Sequence, residues 1–218
     1  MKRISIPELI CSMFMVFFMS GTACGLSDAY KGNIYSPGLL KPTDSVLKVR
    51  VGDAAPDFML RAVSGESVSL SRYRGIKNVV ISFVPAAWTP VCSDQWPGYN
   101  ILKDLFDQHE AVLLGITVDN IPTLFSWTNQ MGELWFPVLS DFWPHGAAAA
   151  SFGVLRSDGV AERALIIIDK KGIIRYIDVH DINKRPSLED LIRELDKLNR
   201  APVRFKEAAV IRTKSFSG

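Results

Sequence analysis

Strands that alternate with helices, followed by a closing hairpin and an amphipathic helix, predict an α/β domain with a central mixed β-sheet flanked by helices. Three observations support this. Val79 to Val84 and Ala111 to Val118 are apolar runs of strand length, the pattern of strands buried on both faces. Apolar residues at helical spacing follow each run. Later, Asp169-Lys170-Lys171-Gly172 separates two further strand-like runs, as a hairpin turn does. At 218 residues, 48% of them hydrophobic, the chain can bury one sizeable core, so a single domain over residues 46–200 with extensions on both sides is expected.

The elements follow in order. Phe58 to Leu60 and Val68 to Leu70 flank Ser64-Gly65-Glu66 and predict a hairpin. Val79 to Val84 is the first central strand, and Pro85 ends it. A helix starts at Pro90 and continues through Ile101, Leu102, Leu105 and Phe106, but Pro97 and Gly98 interrupt it and predict a break. Ala111 to Val118 is the second buried strand, closed by the turn residue Asp119. Ile121 to Met131 reads as a helix with Leu124, Phe125 and Trp127 among its apolar residues. Phe136 to Leu139 reads as a short strand, and Ala147 to Phe152 as a short helix after Gly146. Arg163 to Ile168 is a strong strand, with Ile173 to Val179 as its hairpin partner. Ser187, with Asp190 three residues on, is a capping box for a helix carrying Leu188, Leu191, Ile192, Leu195 and Leu198 on one side. Residues 24–45, rich in Gly, Ser, Pro and Tyr without periodicity, read as a flexible tether, and 201–218 as a tail.

Chemistry concentrates between Asn78 and Cys92. Thr89 suits an N-cap and Pro90 the first helical position, where its missing N–H does no harm. Cys92 then falls in the first helical turn. Backbone N–H groups there lack intrahelical partners and the helix dipole is positive, so an anionic sulfur is favoured. A strand end aims this thiol, and a helix end stabilises its anion.

Pro85, Thr89 and Cys92 stand as P-x-x-x-T-x-x-C, which resembles the peroxidatic motif of the peroxiredoxins, the alkyl hydroperoxide reductase and thiol-specific antioxidant family. The likeness continues in V-G-D-A-A-P-D-F from Val51, L-S-D-F-W-P-H-G from Leu139 and R-A-L-I-I-I-D-K-K-G-I-I-R-Y from Arg163, an ordered set over roughly residues 50–180. The resemblance implies a thioredoxin-like fold. It also implies a thiol-dependent peroxidase: a Cys92 thiolate attacks hydrogen peroxide or an organic hydroperoxide, and becomes a sulfenic acid. Ionising an ordinary thiol near neutrality raises the thiolate by only roughly tenfold or somewhat more, so preorganised donors must supply the remaining acceleration. The resemblance gives Pro85 the role of shielding the site and Arg163 that of contacting sulfur and peroxide. Thr89, three residues before Cys92, is placed to donate its hydroxyl to peroxide oxygen. No cofactor and no metal are implied. Gln95 departs from the Glu that many relatives carry, and Trp88 from a commoner Phe.

Plainer roles stand beside these. Thr89 suits a simple cap, Arg163 a surface ion pair, and Trp143 a core aromatic. His109, His145 and His180 lack metal-ligand spacing, and a net charge of +2 gives no argument for a nucleic-acid partner.

Lys2 and Arg3 precede an apolar segment from about Ile10 to Met19 and the small residues Ser20 to Ala23, the order of an export signal over residues 1–23. Cys24 follows directly and suits lipidation, with Gly21 an imperfect match to a lipobox. This predicts an exported, lipid-anchored protein on the periplasmic side of the membrane or in the cell envelope. Gly21 and Ala23 also suit an ordinary signal peptidase cutting at the same bond, and an uncleaved N-terminal anchor, with the domain on the other side of the membrane, is the plainer alternative. The cysteines are Cys11, Cys24 and Cys92, with no C-x-x-C and none after Cys92. The pattern resembles one-cysteine peroxiredoxins, which implies an external thiol or thioredoxin-like reductant. Relatives of this kind often form homodimers. The alternatives are a membrane-tethered thioredoxin-fold thiol-disulfide oxidoreductase, which wants two close cysteines, and a non-catalytic lipoprotein on the same scaffold.

Overall fold

The computed structural model describes residues 28–199. The export signal 1–23, Cys24 and the tail 201–218 lie outside the described residues. Strands β1 (Met59–Ala62), β2 (Ser67–Ser69), β3 (Asn78–Phe83), β4 (Ala111–Thr117), β5 (Val138–Ser140), β6 (Arg163–Ile168) and β7 (Ile174–His180) form one sheet in the order β2-β1-β5-β4-β3-β6-β7. Helices are α1 (Asp28–Gly32), α2 (Pro90–Gly98), α3 (Lys103–Gln108), α4 (Ile121–Met131), α5 (Ala147–Phe152) and α6 (Leu188–Asn199). The sheet is mixed: β3 runs parallel to β4, and β4 to β5, while β6 is antiparallel to both β3 and β7.

Side chains alternate along a strand, so β3 serves two cores at once. Val79, Ile81 and Phe83 face a layer closed by α5 and the β1–β2 hairpin. Val80 and Val84 face the other layer, where α2, α4 and α6 bring Trp96, Leu124, Trp127, Leu191 and Leu195. Every residue of β3 is buried, as its continuous apolar run requires. On β4, Gly115 is needed for close approach: a Cβ there would lie 2.9 Å from the Trp96 indole.

The break expected at Pro97 and Gly98 is present. Pro97 offers no N–H to the Ser93 carbonyl one turn back, and after α2 the chain tightens into a 3₁₀ turn, Tyr99–Leu102, before α3.

Residues 28–45 are not a tether. Tyr30 is fully buried, in the same core as Trp88, Trp96 and Trp127, and its hydroxyl accepts a hydrogen bond from Trp127 Nε1 at 2.9 Å. Further along, Leu40 N–H donates to Asn183 Oδ1 and Leu40 O accepts from Asn183 Nδ2, both at 2.9 Å. The buried Glu162 carboxylate accepts from Asp44 N and Ser45 N, and Lys48 N donates to Phe152 O. Gly153 is required where this segment passes, because its φ is +78° and a Cβ would come within 2.3 Å of Lys48 N. The hydrogen bonds of Lys41 and Ser157 hold the Asp44 carboxyl well below the usual carboxylate range. The segment is a docked strap, and its composition was a poor guide because a few widely spaced anchors secure it.

Tyr30→Ala is expected to lower unfolding free energy by about 3 kcal/mol in denaturant titration, the cost of emptying an aromatic site in a core. A loss under about 0.5 kcal/mol, typical of a surface position, would show that the strap is not anchored there.

Candidate active site

β3 ends at Phe83, and Pro85 then turns the chain away from the sheet, buried itself. Thr89 occupies the N-cap with extended backbone and Pro90 the first position, so Cys92 lies in the first turn of α2 as predicted. The capping role expected of Thr89 is not filled by its side chain. Its Oγ1 donates instead to Ala86 O at 2.9 Å, so the hydrogen expected to reach a peroxide oxygen is also engaged and the oxygen is left as an acceptor. The loop between has two supports. Asp119 Oδ2 accepts from Ala87 N at 2.7 Å, and Trp88 O accepts from Tyr35 N at 2.8 Å. Trp88 itself is held at φ 60°, a left-handed conformation that costs an aromatic residue about 1 kcal/mol or more.

The antiparallel pairing of β3 with β6 sets Phe83 opposite Ala164, which puts Arg163, the first residue of β6, beside the end of β3. Arg163 is 2% exposed and not a surface ion-pair partner. Its Nη2 donates to Cys92 Sγ at 3.5 Å and to Ile182 O at 3.0 Å, Nε donates to the same carbonyl at 3.1 Å, and Nη1 donates to Gln95 Oε1. Among the described residues no carboxylate pairs with it. A buried guanidinium surrounded by neutral acceptors keeps its charge uncompensated. The sulfur is the one partner in its shell able to become an anion.

Gln95 is fully buried and joins this shell to the core. Its Nε2 donates to Tyr99 Oη at 2.8 Å and to Ser82 Oγ at 3.2 Å. Burial pushes the Tyr99 phenol up, which keeps it neutral. The Gln95 amide oxygen accepts from Arg163 Nη1 and holds the guanidinium in position.

Cys92 is free and has no exposed surface. A cleft of about 290 Å³ lies beside it, lined by Pro85, Thr89, Pro90, Val91, by Arg163, which touches the sulfur, and by strap residues Ser36 to Leu40. Ile182 and Asn183 complete it. The structure therefore gathers Cys92, Thr89, Pro85 and Arg163 at one place. Trp143 does not belong to the core: it is 82% exposed. Sequence reasoning read Asp119 only as a turn residue, and nothing in the sequence pointed to Ile182, Asn183 or the strap. Gln95, three residues after Cys92 on the same helical face, carried a signal in its spacing alone. Among the described residues no cluster of three metal-binding side chains occurs, and no helix is long and apolar enough to cross a membrane.

Comparison with known proteins agrees with this geometry. Residues 51–177 match the AhpC/TSA family. The chain is 39% identical over 132 residues to alkyl hydroperoxide reductase E of Mycobacterium tuberculosis, covering 60% of this chain and 86% of that protein. It is 32% identical over 161 residues to the chloroplastic 2-cysteine peroxiredoxin of Chattonella marina, covering 70% of this chain and 82% of the relative. Among solved structures, Mycobacterium tuberculosis AhpC superposes with a TM-score of 0.64 at 26% identity, over 71% of this chain and 96% of that one. The reduced 2-Cys peroxiredoxin of Plasmodium vivax gives a TM-score of 0.64 at 28% identity, over 68% and 81%.

Gln95→Leu is expected to destabilise the protein by about 1–3 kcal/mol in denaturant titration, because Arg163 Nη1 loses its acceptor while still buried. A loss under about 0.5 kcal/mol would show that the guanidinium finds another partner and that Gln95 does not hold it.

Proposed function

The chain belongs to the AhpC/TSA family, and from that premise we propose that a Cys92 thiolate carries its peroxidase activity in a one-cysteine cycle. It is a peroxiredoxin of thioredoxin-like fold, an enzyme that reduces hydroperoxides. The observation that carries the assignment of Cys92 is the contact of its Sγ at 3.5 Å with the buried Arg163, which pairs with no carboxylate among the described residues.

The cycle follows from the groups present. The hydroperoxide enters the cleft with its terminal O–H donating to Thr89 Oγ1, whose own hydrogen is engaged by Ala86 O. Cys92 S⁻ attacks the terminal oxygen. The S–O bond forms as the O–O bond breaks, and negative charge moves from sulfur to the leaving oxygen. Arg163, already beside the sulfur, faces that charge throughout, so the transfer needs little reorganisation of the protein. Protonation releases water or an alcohol, and Cys92 remains as sulfenic acid. Pro85 keeps bulk water from the sulfur by its place in the buried loop. One external thiol then displaces the sulfenic oxygen as water and forms a mixed disulfide. A second thiol releases Cys92 and leaves as the disulfide, so two thiols supply the two electrons. Residues 93–218 contain no cysteine, which supports an external reductant over a resolving cysteine within that part of the chain.

We place the enzyme outside the cytoplasm on the basis of the segment 1–23, with Cys24 as a lipid-bearing first residue. From Cys24 to Tyr30 the chain reaches at most about 20 Å. A domain anchored in this way would sit close to the membrane surface, unlike one on a long tether. A homodimer is compatible with this placement.

Two measurements test these readings. The purified protein without reductant is expected to consume about one equivalent of hydroperoxide with oxidation at the Cys92 peptide; Cys92→Ser should consume none by that route, and Arg163→Met should react about 100-fold more slowly. Retention of the full rate in Cys92→Ser excludes the assignment. Mass spectrometry of the protein from membranes should find Cys24 as a diacylglyceryl-bearing N-terminus, and an intact Met1 would overturn the export reading.

A further inference from the structure

The strap precedes residue 51, where the match to the family begins, yet it builds one wall of the cleft over Cys92. We propose that this strap selects the reductant: it leaves the oxidised Cys92 within reach of low-molecular-weight thiols and shuts out thiols carried on a folded protein. The inference rests on the one-cysteine reading above and deepens it by naming the class of reductant.

Size is the first argument. Cys92 has no exposed surface, and the cleft beside it, lined by its contact Arg163, holds about 290 Å³. At about 30 Å³ for each water-sized unit, that is room for a free amino-acid thiol. A protein thiol arrives on a surface, and even weak redox encounters bury several hundred Å² on each partner. Ser36 to Leu40 stand where that surface would have to lie.

The strap's attachment is the second argument. At its start, the Tyr30 ring packs 5.7 Å from Trp88, and Tyr35 N holds the Trp88 carbonyl. At its middle, Leu40 is bonded twice to Asn183, and Ile182 N donates to Pro42 O at 3.0 Å. Ile182 O is the acceptor that Arg163 Nε and Nη2 share. Peeling the strap away for a protein partner would therefore disturb the residue that anchors the guanidinium at the sulfur. A small thiol fits the cleft and needs only a local shift of the groups that cover the sulfur. One small thiol attacks the sulfenic sulfur, an S–S bond forms and water leaves; a second attacks the mixed disulfide and restores Cys92, and the pair departs as a small disulfide.

The test uses the full-length protein oxidised with one equivalent of hydrogen peroxide, with return of the Cys92 thiol followed by alkylation and peptide mass spectrometry. Free cysteine should restore it, and a reduced thioredoxin should do so at least tenfold more slowly at equal thiol. Asp44→Ala, which unties the strap from Ser157 away from the cleft, should raise the thioredoxin rate at least fivefold and change the cysteine rate less than twofold. Tyr30→Ala, which removes an anchor at the strap's start, should also raise the thioredoxin rate, and faster tryptic cleavage within the strap reports strap release in either variant. Thioredoxin matching cysteine on the unaltered protein overturns the proposal, and so does a thioredoxin rate that neither variant raises. Absence of any oxidation at Cys92 in the first step would instead overturn the one-cysteine reading, so the two failures are distinct.

Discussion

A buried positive charge that pairs with no carboxylate among the described residues governs this molecule. Arg163 is buried at the start of β6, and its N–H groups go to the Ile182 carbonyl, the Gln95 amide and the Cys92 sulfur. Burying a guanidinium among neutral groups is unfavourable unless a compensating anion is available. Of the hydrogen-bond partners of Arg163 here, the Cys92 sulfur is the one able to carry that anion.

The fold supplies this arrangement through strand pairing more than through any local motif. Cys92 and Arg163 are separated by 71 residues, yet β6 runs antiparallel to β3, so the beginning of one lies beside the end of the other. The parallel partner β4 contributes Asp119 just past its carboxyl end, where the carboxylate receives the Ala87 N–H and steadies the loop that carries Thr89. The strap adds a third support through Trp88. Three parts of the chain thus converge on the few residues between Pro85 and Cys92, and the left-handed backbone at Trp88 is kept in place by neighbours on both sides.

Much of this was legible without coordinates. The apolar runs located β3, β4 and β6 because a strand buried on both faces is mostly apolar, its few polar residues being hydrogen-bonded. The Thr-Pro pair located the start of α2, and therefore Cys92 in its first turn, because helix ends impose local rules on backbone N–H groups. Pro97 marked the break in α2 for the same local reason. Asn183 and Ile182 were not legible: an Asn in a loop can bond to any passing backbone, and which one passes is decided far away in sequence. The strap was misread because Gly, Ser and Pro report backbone freedom in isolation, whereas Tyr30 and Leu40 dock onto partners 97 and 143 residues distant.

The amino-acid order by itself determined the α/β alternation, the placement of the thiol at a helix start and the family resemblance, since each depends on neighbours within a few positions. Tertiary structure alone decided that Arg163 is buried against the sulfur, that Thr89 turns its hydroxyl to Ala86 and that residues 28–45 close over the cleft. Those are contacts between segments brought together by sheet pairing and core burial, and no local pattern of residues encodes the distance between them.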